Sequence, residues 1–67
     1  MKQRTATEFE KAVFRYLDLL NEEGTISIKM LMRKWTDLEE SKAELLIELW
    51  NKNHNKEGDY EIIELYL

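Results

Sequence analysis

The strongest constraint on the fold is a helix that carries its own start and stop signals near the beginning of the chain. Thr7 followed three residues later by Glu10 has the capping-box pattern, an overlapping version stands at Thr5 and Glu8, and Gly24 supplies a stop after Asn21, Glu22 and Glu23. Between these signals Phe9, Ala12, Val13, Tyr16, Leu17 and Leu20 gather on one face of a helix predicted from Glu8 to Glu22. Lys11, Arg15 and Asp18 take the opposite face, and Phe14 falls off the apolar stripe. That aromatic is either covered by another element of the same domain or presented to a partner.

A chain of 67 residues leaves room for one domain, near the lower size at which a core can be buried unaided. With 43% hydrophobic and 36% charged residues and no Pro, it has the composition of a helix-rich globular protein. There is no Cys, so disulfides and Cys-based zinc sites are excluded. No apolar run approaches the roughly 18 residues of a membrane span, and Met1 to Thr5 leads into an amphipathic helix and not into a signal-peptide core. Membrane insertion is not expected, and a cytoplasmic setting is. Residues 1–6 read as a flexible arm ahead of the first helix.

From Thr25 to Trp35 two periods overlap. Ile26, Ile28, Met30 and Met32 alternate as in a strand, whereas Ile28, Leu31, Met32 and Trp35 keep helical spacing. The sequence predicts a very short strand over Thr25 to Ser27, then Ser27 as the N-cap of a second helix from Ile28 to Trp35. Thr36 with Glu39 makes a further capping-box pattern, predicting a third helix from Asp37 to about Asn53. Leu38, Leu45, Leu46 and Leu49 form its expected core face, and Ala43, Ile47 and Trp50 widen the apolar arc. An arc that wide places the helix at the centre of the fold or in an oligomer. Trp50 either closes the core against the C-terminal strand or serves a partner surface.

Beyond the turn dipeptide Gly58 and Asp59, the run from Tyr60 to Leu67 is rich in β-branched and aromatic residues and reads as a strand. Ile63, Leu65 and Leu67 share its inward face, and Thr25 to Ile28 is its expected mate. A sheet this small has an open edge, so a homodimer paired through the C-terminal strand is one expectation. The fold class is α+β, mostly α: three helices and a small two-stranded antiparallel sheet.

The order helix, short strand, short helix, long helix, strand resembles a winged helix-turn-helix domain, with the stretch from Ile28 to Leu46 carrying the likeness. The resemblance implies one winged-helix-like domain over residues 1–67, with a wing reduced to a single strand. When such families bind DNA, the third helix enters the major groove. Here that helix is acidic. Thr25 to Thr36 holds Lys29, Arg33 and Lys34 with no acid, whereas Asp37 to Asn53 holds five acids against Lys42 and Lys52. Glu40, Glu44 and Glu48 repeat at every fourth position and form a ridge that phosphates would repel.

The leading expectation is therefore a non-enzymatic regulatory module, an inhibitor or DNA mimic among its narrower forms, that binds the basic surface of another protein. Glu40, Glu44 and Glu48 would steer it, with Phe14 or Trp50 as apolar anchor. The alternative is a dimeric DNA-binding regulator using Lys2, Arg4, Lys29, Arg33, Lys34 and Lys42 on phosphates, with Ser41 and Lys42 at bases. An enzyme is not expected: His54 is the sole histidine, and no glycine-rich phosphate loop or nucleophile and base pair accompanies it. Asn53, Asn55, Glu57, Gly58 and Glu64 fall in the order of an EF-hand-like loop, but Asn takes the first position and Lys56 sits inside it. A polar loop before a strand accounts for these residues, and no metal or cofactor is expected.

Overall fold

The computed structural model describes residues 2–54 and 60–65. Their order is β1 (Lys2–Thr5), α1 (Glu8–Glu23), α2 (Ile28–Lys34), α3 (Glu40–Asn53) and β2 (Ile62–Leu65). The class is α+β and mostly helical, with β1 and β2 forming one two-stranded antiparallel sheet.

Helix α1 is built from its own end signals. The Glu10 N–H donates to the Thr7 hydroxyl at 3.0 Å, and the Thr7 N–H donates to the Glu10 carboxylate at 2.9 Å. At the other end Gly24 adopts φ 70, a left-handed conformation that costs a residue with a Cβ more than glycine. The Thr25 N–H then closes back on the Leu20 carbonyl at 2.9 Å. Helix α2 begins as its sequence indicates, with Ser27 accepting the Met30 N–H, but it ends at Lys34 with Trp35 as the extended C-cap.

The sheet corrects two expectations. Thr25 to Ser27 is not a strand, because Thr25 is consumed by the C-cap of α1 and Ser27 by the N-cap of α2. The mate of β2 lies in residues 1–6, where a flexible arm was expected. Lys2 pairs with Leu65, Gln3 with Glu64, Arg4 with Ile63 and Thr5 with Ile62, and the Ala6 N–H extends the ladder to the Glu61 carbonyl at 2.8 Å. The element order thus differs from the one that carried the winged-helix resemblance, since the first strand precedes α1. The stretch α2, turn, α3 retains its helix-turn-helix sequence of elements.

Helix α3 starts three residues later than its sequence indicates. Trp35 is wedged edge-on against Phe9 and Tyr16, at centroid distances of 5.8 and 5.5 Å. With Trp35 held there, the chain turns, and the Leu38 N–H donates to the Trp35 carbonyl at 3.0 Å. Thr36 and Asp37 lie in that turn, so the Thr36 capping box does not form, and Glu39 is the N-cap without a side-chain bond. The buried stripe of α3 is Ala43, Leu46, Trp50 and Asn53. Leu38, Ile47 and Leu49 are partly buried against the core, whereas Leu45 is 64% exposed and leaves the predicted core face.

The core joins Val13, Phe14, Leu17 and Leu20 of α1 to Leu31 of α2, the α3 stripe, and Tyr60 and Ile63 at the C-terminal end. Phe14 is fully buried, its ring 5.0 Å from that of Tyr60. Trp50 is also buried, so neither aromatic is a surface anchor. Phe14 is thus covered by another part of the same domain, Tyr60, the first of the two roles that its off-stripe position left open, and Trp50 is enclosed beside Asp18 and His54.

Candidate functional site

Polar side chains fasten α1 to β1, to α3 and to the C-terminal segment, and α3 to β2. The Asp18 carboxylate accepts the Trp50 indole N–H at 2.9 Å and the Tyr60 hydroxyl at 2.7 Å, joining α1, α3 and the start of the C-terminal strand segment. Burial, reinforced by the bond to Asp18, raises the Tyr60 pKa above its ordinary value of 10.0. On the sheet side Arg4 forks onto Glu10 through two bonds of 2.7 and 2.6 Å. The Arg4 contact holds the Glu10 carboxyl below its usual pKa, helped by the Thr7 N–H and against the opposing effect of burial. Lys11 lies with its stem buried and its ammonium at 3.1 Å from both Glu61 and Glu8, whose bonds raise its pKa. Among the described residues, no buried side-chain nitrogen or oxygen lacks a partner.

Asn53 was not legible as part of this framework. It lies buried at the end of α3, where its amide N–H donates to the carbonyls of Leu49 at 2.9 Å and Glu64 at 3.1 Å. Its amide oxygen accepts the Glu64 N–H at 2.8 Å. The side chain therefore offers β2 the donor and acceptor that a neighbouring strand would supply. This fixes one member of the EF-hand-like set in a structural role and places another, Glu64, in β2, while Asn55, Glu57 and Gly58 lie outside the described residues. Among the described residues, no three His, Cys, Asp or Glu side chains cluster as metal ligands. His54 sits at the C-cap of α3, where its Nδ1–H donates to the Asn51 carbonyl at 2.8 Å and its ring lies 5.0 Å from Trp50.

The acidic ridge is on the surface: Glu40, Glu44 and Glu48 are all exposed. Glu48 reaches Lys52 at 3.7 Å, an i,i+4 pair on an exposed helix face and so of small energetic weight. Leu45 follows Glu44 and flanks the ridge, giving this face a large exposed apolar side chain that the sequence placed in the core.

The cations are less unified. Arg4 is committed to Glu10, and Lys2 lies beyond it on β1. Lys29 and Arg33 are one turn apart and exposed on α2. Lys34 lies over the rings of Tyr16 and Trp35, at 5.0 and 5.6 Å from their centroids. Lys34 and Lys42 both line a groove of about 650 Å³ between the start of α1 and the turn before α3, with Phe9, Trp35 and Leu38 as its apolar floor. Asp37 and Glu39 also line it, so two acids balance the two lysines. Ser41 is exposed in the first turn of α3, between Glu40 and Lys42.

No helix among the described residues is long and apolar enough to cross a membrane. No protein-family model, curated protein or solved structure matches the chain.

Proposed function

We propose that this chain is a non-enzymatic, winged-helix-like regulatory module of the cytoplasm that docks on the basic surface of another protein through the outer face of α3. The observation that carries this reading is the exposure of Glu40, Glu44 and Glu48 together with Leu45, which is 64% exposed beside them. The carboxylates steer a cationic partner and set register, and the leucine supplies apolar contact in place of the buried Phe14 and Trp50. An inhibitor that occupies a phosphate-binding site of its target is the narrower form of the same chemistry.

The second reading is a dimeric DNA-binding regulator, favoured by the placement of Lys29, Arg33, Lys34 and Lys42 on α2 and around the adjoining groove. The loss of Arg4 to Glu10 and the balanced charge of the groove weaken it. One amide-resolved NMR titration separates the two. A basic amphipathic helical peptide should shift the amides of Glu44, Leu45 and Glu48, and the combined Glu40→Gln, Glu44→Gln and Glu48→Gln variant should lose that response while remaining folded. Salt-sensitive binding of random-sequence duplex DNA, mapped to α2, would instead establish the second reading.

A further inference from the structure

The two outer edges of the sheet are not equivalent. Glu64 turns its N–H and carbonyl away from β1, and both meet the Asn53 amide, so α3 occupies that side of β2 at this residue. The Ala6 to Glu61 bond and the pairing register place Lys2, Arg4 and Ala6 in the hydrogen-bonded positions toward β2. Gln3 and Thr5 consequently turn their backbone groups outward, along the other edge. There the only hydrogen bond recorded among the described residues is a long one, 3.4 Å, from the Arg4 guanidinium to the Thr5 carbonyl. The expected dimer through the C-terminal strand would meet the Asn53 amide at Glu64, whereas no strand among the described residues pairs with the outer edge of β1.

Charge selects among the strands that could add to this edge. In the antiparallel register that uses both Gln3 and Thr5 of two copies, Arg4 of one lies opposite Arg4 of the other, each already held by its own Glu10, and Lys2 lies opposite Ala6, so a second copy brings no carboxylate to Lys2. An incoming strand with carboxylates at the positions facing Lys2 and Arg4 meets positive charge; Lys2 supplies most of it, since Arg4 already holds Glu10 while Lys2 forms no ion pair among the described residues. On the other face Gln3 and Thr5 stand beside Glu64 and Ile62, and Ile62 is 49% exposed. A shallow depression of about 250 Å³, lined by Gln3, Arg4, Thr5 and Ile62, lies there. Glu64 disfavours an acid on that face, and Ile62 favours an apolar side chain.

We propose that the β1 edge binds an extended segment of a partner protein as a third strand, the segment alternating carboxylate residues facing Lys2 and Arg4 with apolar residues facing Gln3 and Thr5. Main-chain bonds to Gln3 and Thr5 provide the grip, and the alternation provides the selectivity. This surface is separate from the α3 face, so either can fail without the other.

The test is an NMR titration of the full chain with a capped peptide of alternating Glu and Val, beside its Lys and Val counterpart. The largest shifts and slowed hydrogen exchange should fall on the Gln3 and Thr5 amides, with the Lys peptide bound at least roughly tenfold more weakly, the loss expected when one good polar contact is replaced by repulsion. Thr5→Pro and Gln3→Pro each remove an outward N–H and spare the donors that face β2, so either variant, once its spectrum shows a folded chain, should lose binding. Lys2→Glu should reverse the preference between peptides. The triple Gln variant of α3 should bind the Glu peptide as the parent does. Equal binding of both peptides, shifts confined to the groove around Trp35, or absence of shifts would overturn the proposal. So would a concentration-dependent dimer that protects Gln3 and Thr5 without any peptide, since the occupant would then be a second copy.

Discussion

Helices α1 and α3 have similar length and opposite construction. The ends of α1 are closed by residues local to it: Thr7 and Glu10 satisfy one another's backbone donors, and Gly24 turns the chain back at the other end. At the start of α3, Glu39 makes no capping bond, and at its end Asn53 turns its side chain onto the backbone of β2. One helix is delimited by itself, the other by what packs around it. The contrast extends to burial, since the off-stripe Phe14 of α1 is inside and the on-stripe Leu45 of α3 is outside.

The largest effect expected from this contrast is at those two side chains. Phe14→Ala empties a fully enclosed site and should cost about 3 to 5 kcal/mol, enough to unfold much of a chain this small. Leu45→Ala should change stability by no more than about 0.5 kcal/mol, because the side chain is largely in water. Urea denaturation of the two variants against the parent measures both, and a Leu45→Ala loss comparable to that of Phe14→Ala would erase the distinction.

The caps should respond with opposite signs. Thr7→Ala removes the hydroxyl that accepts the Glu10 N–H and should cost about 0.5 to 2 kcal/mol. Glu39→Ser installs a capping side chain where none bonds and should gain up to about 1 kcal/mol. Thermal unfolding followed by circular dichroism reads both shifts. Equal and negative shifts would mean that the start of α3 is fixed as firmly as that of α1.

The smallest effect is that of acid. The folded pKa of Glu10 lies below its ordinary 4.5, so its contribution is fully present above that value and fades as pH falls through the lower folded pKa. Chemical denaturation near neutrality and at about pH 3 should show a loss of stability that shrinks in Glu10→Gln. Exchange of amides in the first turn of α1 should rise in the same acid range.

The same division explains what could be read in advance. The three helices, the Thr7 and Ser27 caps, the Gly24 stop and the C-terminal strand follow from spacing and side-chain chemistry within a few residues. The acidic ridge was legible too, because a four-residue repeat maps directly onto a helix surface. The partner of β2 was not. Lys2 to Thr5 has no apolar periodicity and pairs across nearly the whole length of the chain, whereas the more strand-like Thr25 to Ser27 is taken up by two adjacent caps. The position of Leu45 was equally hidden, since α3 carries more apolar residues than one buried stripe can hold and the helix's rotation decides which are left out.

By itself the sequence determined where helices start and stop when the stopping residue and its partner are close along the chain, because those bonds form within one turn. Only the tertiary structure decided the strand pairing, the delayed start of α3 and the roles of Asp18, Lys11 and Asn53. Each of these depends on groups distant in sequence: the rings that hold Trp35, the indole and phenol that meet Asp18, and the strand backbone that meets Asn53. A polar side chain is satisfied by whichever partner the packing of apolar faces brings within about 3 Å, and a local pattern does not contain that partner.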